Sequence, residues 1–225
     1  MAGYVTSTHT LTEAYTKIQI LAKNAKVRIE PSDDGGSKLV LCEKKRYPYA
    51  LSVQDGTLTV KPTKTGWLHA LRIGIDRSEI RLFVPQSTLE EIAIKSNVGR
   101  IDLHSVICNG TIEIETNTGA LHASEIACKS FRSKGNTGSA SLCKCSAQES
   151  ISIKRNAGSV LLNDCTAPET FIKTNTGRVG GKLPSHTVFS VRTNTGRVKT
   201  PQASMGKEIG GRCEIRTNTG SIKFE

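Results

Sequence analysis

Thr116-Asn117-Thr118-Gly119 recurs verbatim at residues 174–177, 193–196 and 217–220. The shorter pattern Asn-x-Gly occurs seven times in register, at intervals of 20, 19, 20, 19, 19 and 24 residues. Copies at so regular a spacing indicate a repeat protein. The residues predicted to form the structural corners are Asn97, Gly99, Asn117, Gly119, Asn136, Gly138, Asn156, Gly158, Asn175, Gly177, Asn194, Gly196, Asn218 and Gly220.

Apolar residues alternate with polar residues on both sides of each corner. Ile112 and Ile114 stand before Asn117, and Ile101 and Leu103 follow Asn97. Alternation at period two is typical of strands with one buried face. A repeat of 19 or 20 residues buries that face only by stacking on its neighbours. We therefore predict an all-β fold, a single-chain parallel β-solenoid (β-helix) of about seven 19–20-residue rungs.

The corner residues suit a tight turn. Glycine adopts positive φ angles that a β-carbon resists, and asparagine tolerates turns and hydrogen-bonds within them. Stacked strands lie about 4.8 Å apart, so the Asn side chains can donate to one another as a ladder. We expect this column to have a structural role.

The first ninety residues have a less regular pattern. Alternating runs occur between residues 17 and 84, and Gln54-Asp55-Gly56 separates two of them in the manner of a hairpin turn. We interpret residues 1–90 as an N-terminal β capping region and residues 91–225 as the solenoid repeats.

The order of these parts resembles the putative-adhesin β-solenoid family, a domain of unknown function found in bacteria and eukaryotes. The resemblance covers about residues 15–225. It rests on D-G-T-L-T-V (55–60), I-R-L-F-V-P (80–85), L-x-x-I-x-I-x-x-x-x-G-x-I (89–101) and the repeats that follow. It implies a parallel single-chain β-solenoid without established catalytic residues, and many bacterial members are linked to cell envelopes.

Seven cysteines make an odd number, which argues against a closed disulfide framework. Cys108, Cys128, Cys145 and Cys165 fall in columns of small or apolar residues, so we expect them to be core thiols. No Cys-x-x-Cys pair occurs, and we expect no metal and no cofactor. The absence of an apolar leader or a long apolar run predicts a cytoplasmic protein without a transmembrane segment.

The acidic residues do not predict an active site. Solenoid enzymes that cleave polysaccharides need carboxylates clustered on one face. Here the carboxylates fall in different columns, so a carbohydrate-active enzyme is the weakest of three hypotheses; they are Asp102, Glu113, Glu115, Asp164 and Glu214.

Positive charge is concentrated near the C-terminus. Of the net charge of +11, residues 171–225 contribute +7, from 10 Lys and Arg against 3 Asp and Glu. Five of these charges lie either two residues before or three residues after a corner Asn, and stacking would place them along one corner. We call this set the basic edge: Lys173, Arg178, Arg192, Arg197 and Arg216.

Two functional hypotheses follow from the pattern. The first is a non-enzymatic scaffold or adhesin-like interaction module with an unknown protein partner. A second copy, paired end to end through the solenoid terminus, is a further candidate partner. The second is a binder of an acidic glycan, nucleic acid or anionic lipid through the basic edge, since like charges in close columns favour an anionic partner. Columns without aromatic residues do not favour sequence-specific reading of nucleic acid.

Overall fold

The structure is a computed structural model that describes residues 3–63, 78–85, 89–201 and 211–225. Every regular element within those ranges is a β-strand. The strands are β1 Tyr4–Leu11, β2 Lys17–Ala22, β3 Ala25–Pro31, β4 Ser37–Lys44, β5 Tyr49–Gln54, β6 Thr57–Pro62, β7 Ser78–Val84, β8 Leu89–Val98, β9 Ile101–His104, β10 Ile107–Thr118, β11 Leu121–Ser124, β12 Ala127–Thr137, β13 Ala140–Cys143, β14 Ser146–Ala157, β15 Val160–Asn163, β16 Glu169–Thr176, β17 Val179–Lys182, β18 Val188–Thr195, β19 Val198–Lys199, β20 Arg212–Thr219 and β21 Ile222–Phe224.

The strands form two sheets. One sheet has eleven strands in the order β1-β4-β7-β3-β9-β11-β13-β15-β17-β21-β19, and the other has ten in the order β18-β20-β16-β14-β12-β10-β8-β2-β6-β5. Neighbours are parallel except where β1, β4 and β5 pair antiparallel at one end. The predicted all-β class with parallel sheets is confirmed.

A repeating unit consists of one strand in the ten-stranded sheet, an Asn-x-Gly corner and one strand in the eleven-stranded sheet. Units stack in register: Ile112 lies opposite Ile92 on one side and Phe131 on the other. Leu121 likewise lies between Ile101 and Ala140. Each inward position therefore continues as an apolar column along the stack, and these columns fill the core between the two sheets.

The N-terminal region takes part in both sheets. Strands β2 and β3 stack on β8 and β9, with Ile18 opposite Ile92 and Val27 opposite Ile101. Strands β6 and β7 stack on the other side of β2 and β3. The hairpin predicted around Asp55 and Gly56 joins β5 to β6, and both residues have positive φ. One buried apolar cluster includes residues from both regions.

The stacking order departs from the chain order at both ends. The first unit in the chain, β2 and β3, lies between β6/β7 and β8/β9. The last unit, β20 and β21, lies between β16/β17 and β18/β19. At each end, one unit is therefore inserted between two units that are closer to each other in sequence.

A second corner returns the chain from the eleven-stranded sheet to the next unit. It was not predicted from the sequence. Its turn residues have left-handed backbone angles without being glycine: φ is 48° at Ser105, 56° at Glu125, 52° at Lys144 and 52° at Asp164. Because no shared residue type marks this column, the sequence carries no simple signal for it.

The four cysteines predicted to lie in the core are buried, and so is Cys213. Cys108 and Cys128 lie opposite each other on adjacent strands. Burial raises the pKa of the Cys128 and Cys213 thiols to about 12. These thiols are therefore neutral small hydrophobic groups at physiological pH.

Candidate ligand-binding groove

The corner glycines are required by the close approach of stacked backbones. A β-carbon on Gly177, where φ is +153°, would stand 2.0 Å from the carbonyl oxygen of Gly158. On Gly220 it would stand 1.8 Å from the carbonyl oxygen of Gly177. Of the seven predicted corner glycines, Gly119 alone lacks a φ in this positive range, and it too would collide with the glycine beneath it.

The corner asparagines form a hydrogen-bonded ladder. Asn117 donates its side-chain amide to Asn97 at 3.0 Å, and Asn136 donates to Asn117 at 3.3 Å. The ladder continues with Asn156, Asn175 and Asn218, each of which donates to the previous member. An amide nitrogen carries two hydrogens, so each rung of the ladder keeps one N–H that can donate to a ligand.

A groove of about 990 Å³ runs along this ladder on the ten-stranded sheet. One wall is the Asn ladder, from Asn97 to Asn218. The other wall is the column two residues before each Asn, and the floor is the column between them. The charged residues of the second wall are Lys95, Glu115, Lys134, Lys154, Lys173 and Arg216.

The groove has a neutralised half and a basic half. Glu115 lies 3.0 Å from the ammonium of Lys95 and 3.9 Å from that of Lys134, so these residues form the ion-pair ladder that alternation of sign implies. Lys154 and Lys173 follow without an acidic residue in the same column. Exposed ion pairs of this kind contribute at most about 1 kcal/mol each to the stability of the fold. Their main effect here is to reduce the positive charge in this half of the groove.

The basic edge is only partly contiguous. All five of its residues are exposed. Arg216 lies between Lys173 and Arg192 in the stack because the last unit is inserted there. The same insertion places Ser221 between Arg178 and Arg197, so these two arginines are not on adjacent strands.

Two cations of this wall contact an aromatic ring. The ammonium of Lys154 lies 5.6 Å from the ring centre of Phe171, and the guanidinium of Arg216 lies 6.0 Å from it. The guanidinium of Arg216 also pairs with Glu214. These contacts orient the two side chains along the wall at a modest energetic gain.

A buried arginine was not predicted from the sequence. Arg155 occupies the floor column and is 4% exposed. It donates from Nη2 to Ser133 Oγ at 2.8 Å and from Nη1 to the carbonyl oxygen of Lys154 at 3.0 Å. Burial lowers the pKa of its guanidinium to about 10, so the group remains charged at neutral pH. One sequence signal pointed to it. Lys154 is predicted to face outward, and alternation therefore assigns the next residue, Arg155, to the inward face.

Four of the five acidic residues considered for catalysis are held in ion pairs, and two of them, Glu113 and Glu115, share Lys134. Asp102 pairs with Arg100 and with Lys26, whose ammonium lies 3.6 Å away. Glu113 lies 3.9 Å from Lys134. Within the described part of the chain, no group of three or more His, Cys, Asp or Glu residues is placed to hold a metal ion. No helix among the same residues is long and apolar enough to span a membrane.

Comparison with solved structures found matches that cover nearly the whole chain, and the first of those described here has a similar fold. A putative adhesin from Bacteroides fragilis NCTC 9343 has a TM-score of 0.57 and 14% identity, with 100% of this chain and 98% of the other covered. A putative cell adhesion protein from Clostridium sporogenes ATCC 15579 has a TM-score of 0.46 and 13% identity, with 99% of each chain covered. At such identities the likeness concerns the fold alone.

The family membership rests on a match over nearly the whole chain. None of the curated proteins compared with the chain matches it. The model of the family described as Toastrack DUF4097 matches residues 15–224. This span contains the repeats and most of the N-terminal region, and it confirms the resemblance inferred from the sequence. The chain belongs to the Toastrack DUF4097 family.

Proposed function

We propose that the chain is a non-enzymatic, adhesin-like interaction module on a β-solenoid of stacked rungs, and that it binds a polyanion along the groove and the adjoining basic edge. One observation carries this proposal. The two walls present hydrogen-bond donors along their length: Lys and Arg on one side, and the remaining amide N–H groups of the Asn ladder on the other. Among the described residues of the lining, Glu115 is the one that is acidic, and Lys95 and Lys134 already neutralise it.

The repeat distance of the groove suits an extended ligand. Donors recur at each strand, about every 4.8 Å. A linear polymer that carries an acidic group every one or two steps would match several of them at once. Weak contacts of this kind add along one chain, so a long ligand gains affinity that a short one lacks.

An acidic glycan fits the lining better than single-stranded nucleic acid does. Proteins that bind single strands place aromatic side chains where the bases stack. Among the described residues, none of those that line the groove is Phe, Tyr or Trp, and Phe171 contacts Lys154 and Arg216 of the wall without lining the groove. Amide and ammonium donors suit the carboxylate, sulfate and hydroxyl groups of an acidic glycan.

An enzymatic role lacks support. Cleavage of a glycan needs an acid/base pair of carboxylates on the face that binds the substrate. Glu115 is engaged by lysines on both sides, and Glu214 pairs with Arg216. Binding without turnover is therefore the proposal that these residues favour.

The experiment compares two double charge reversals. Lys173→Glu with Arg192→Glu changes the basic column in units β16/β17 and β18/β19. Lys182→Glu with Lys199→Glu makes the same charge change in the same two units but in the eleven-stranded sheet. We expect immobilised heparin to retain the wild type and the control variant at physiological salt, and to lose most of its affinity for the groove variant.

The proposal fails if both double variants bind heparin as the wild type does. Equal weakening in the two variants also contradicts it, because binding would then follow net charge and not the groove. Tighter binding of an oligonucleotide than of a heparin fragment with the same number of charges would replace the glycan with a nucleic acid as the ligand.

A further inference from the structure

The floor of the groove is a column of inward-facing residues, each directly before a corner asparagine. Its members are small and hydroxylated at five of the seven corners. The exceptions are adjacent in the stack, where Gly135 lies opposite Arg155. In stacking order the column is Ser96, Thr116, Gly135, Arg155, Thr174, Thr217 and Thr193.

Gly135 and Arg155 are complementary in shape. A β-carbon on Gly135 would stand 2.8 Å from Nη1 of Arg155 and 2.9 Å from its Cζ. The guanidinium therefore occupies the space where a side chain of residue 135 would lie. A threonine at position 135, as at the neighbouring corners, is incompatible with this placement of Arg155.

The charge of Arg155 has no counter-charge in the described part of the chain. None of the carboxylates in residues 3–63, 78–85, 89–201 and 211–225 forms an ion pair with it. Its two hydrogen bonds go to neutral oxygens, and its buried Nε has no partner. A buried charge with one unsatisfied donor is costly unless something compensates it.

The uncompensated charge lies at the middle of the groove. Gly135 and Arg155 both line it, between Lys134 and Lys154 on one wall and the ladder asparagines on the other. A cation that is excluded from water is weakly screened, so its field adds to that of the exposed lysines above it. The buried charge therefore adds positive potential at this step of the stack, where the neutralised half of the groove meets the basic half.

We propose that one oxyanion of the ligand, a carboxylate or a sulfate group, is held in the groove over Gly135 and supplies the counter-charge that Arg155 lacks. This inference rests on the proposed function and locates, within the groove, the point that selects an oxyanion. Lys134 and Lys154 would bind the same group from the wall, while Arg155 would act from beneath the floor.

The test removes the buried charge and leaves the exposed lysines in place. Arg155→Met keeps an unbranched side chain over Gly135 without charge. The double variant Gly135→Thr with Arg155→Thr restores the hydroxyl column of the other corners. Lys182→Met, in the eleven-stranded sheet, removes one exposed charge as a control. Binding of a heparin hexasaccharide is measured by calorimetry, and the melting temperature is followed as sulfate replaces chloride at constant ionic strength.

We expect both Arg155 variants to bind the hexasaccharide about tenfold more weakly, because the weakly screened charge beneath the floor is lost, and the control to bind as the wild type does. Sulfate should raise the melting temperature of the wild type more than that of either Arg155 variant. In the wild type itself, the Arg155 Nε proton resonance should shift as sulfate is added, which tests the inference even if neither variant folds.

An unmoved Nε resonance, or wild-type affinity in the folded Arg155 variants, would overturn the inference. If the reversal of Lys173 and Arg192 still abolished heparin binding, the proposed function would survive that result. If neither the charge reversal at Lys173 and Arg192 nor the Arg155 variants changed heparin binding, both proposals would be wrong.

Discussion

Asn218 donates its side-chain amide to Asn175, 43 positions earlier, although Asn194 stands between them in the chain. The bond is one consequence of the inserted last unit. The inner position of that unit agrees with its composition, because a unit packed on both sides must bury more apolar surface. Its inward residues are fully buried, namely Cys213, Ile215, Ile222 and Phe224.

The unit that ends the stack has a weaker core. Phe189 and Val191 are half-buried, and Val198 is exposed. The ring of Phe189 packs on that of Phe224 at a centroid distance of 5.1 Å. The outer unit thus covers the inner one, and in the reverse order Phe224 would lie in the outermost unit, with one side open to solvent.

The inserted order predicts which cysteine pairs will cross-link. With Asn175 and Asn218 both replaced by cysteine, a disulfide should form on mild oxidation, because paired strands hold such residues within its Cα distance range. With Asn175 and Asn194 replaced, none should form, because a whole strand separates them. Mass spectrometry of the unreduced protein, in a background lacking Cys42 and Cys143, distinguishes the two. A cross-link in the second pair alone would show that the units stack in chain order.

The corner glycines should tolerate no side chain. Replacement of Gly177 by valine should lower the free energy of unfolding by about 2 kcal/mol or more, because the new β-carbon meets the Gly158 backbone and φ is positive. Alanine at Gly35 is the control: φ is +71° there, but nothing lies within 4 Å of the added carbon. Urea unfolding measures both. Equal losses at the two sites would mean that the close backbone approach at Gly177 does not matter.

The buried thiols should react slowly in the folded protein. Cys108, Cys128, Cys145, Cys165 and Cys213 are buried, whereas Cys42 and Cys143 are partly exposed. A thiol reagent should therefore modify at most the latter two under native conditions and all seven after denaturation. Rapid native labelling of Cys108 or Cys128 would contradict the placement of these side chains in the core.

Stability should fall in alkaline solution. Burial raises the pKa of the Cys128 and Cys213 thiols from 9.0 to about 12, so the folded protein keeps two protons that the unfolded chain releases above pH 9. The unfolded state then binds fewer protons, and the free energy of unfolding decreases by about 1.4 kcal/mol per thiol for each pH unit in this window.

The alkaline loss can be assigned to the thiols by substitution. Replacement of Cys128 and Cys213 by alanine should lower the stability at pH 8 through the lost packing and flatten its decline above pH 9. Urea unfolding at several pH values measures both effects. An equally steep decline in the double variant would assign the alkaline loss to other groups.

The sequence predicted the parts of the fold that repeat. Alternation around each corner placed Ile101, Ile112 and Ile114 in the core, where all three are 0% exposed. Spacing alone also placed the Asn column at one edge, because units of equal length stack in register. The family resemblance followed from the same order of strands and corners.

The order of the end units was not predictable from these patterns. Residues 174–179 and 193–198 are identical, Thr-Asn-Thr-Gly-Arg-Val. The corners at Asn175 and Asn194 can therefore make the same contacts with an adjacent unit. The sequence of a corner does not predict which unit lies next to it. The two end units differ instead in what they bury: Ile222 and Phe224 of the inner unit, β20/β21, are fully buried, whereas Val198 of the outer unit, β18/β19, is exposed.

The candidate site was only partly visible in the sequence. The basic column could be read from alternation, and the basic edge was inferred from it. The groove needs the Asn ladder as a second wall, and its floor holds Arg155, whose position becomes meaningful only beside Gly135. Gly135 and Arg155 belong to adjacent repeats, and their fit depends on how those two repeats stack. The alternation within a single repeat carries no information about this contact.

The salt dependence of heparin binding tests the central claim most directly. The logarithm of the association constant is measured against the logarithm of salt concentration for the wild type, for Lys173→Glu with Arg192→Glu, and for Lys182→Glu with Lys199→Glu. Binding along the groove, which Lys173 lines, and along the adjoining basic edge, which includes Arg192, releases counterions there. The variant with both reversals should therefore bind weakly with a slope lower by about two, one for each lost contact. The control variant should keep the wild-type slope. Identical slopes and affinities in all three proteins would contradict binding of a polyanion along this groove.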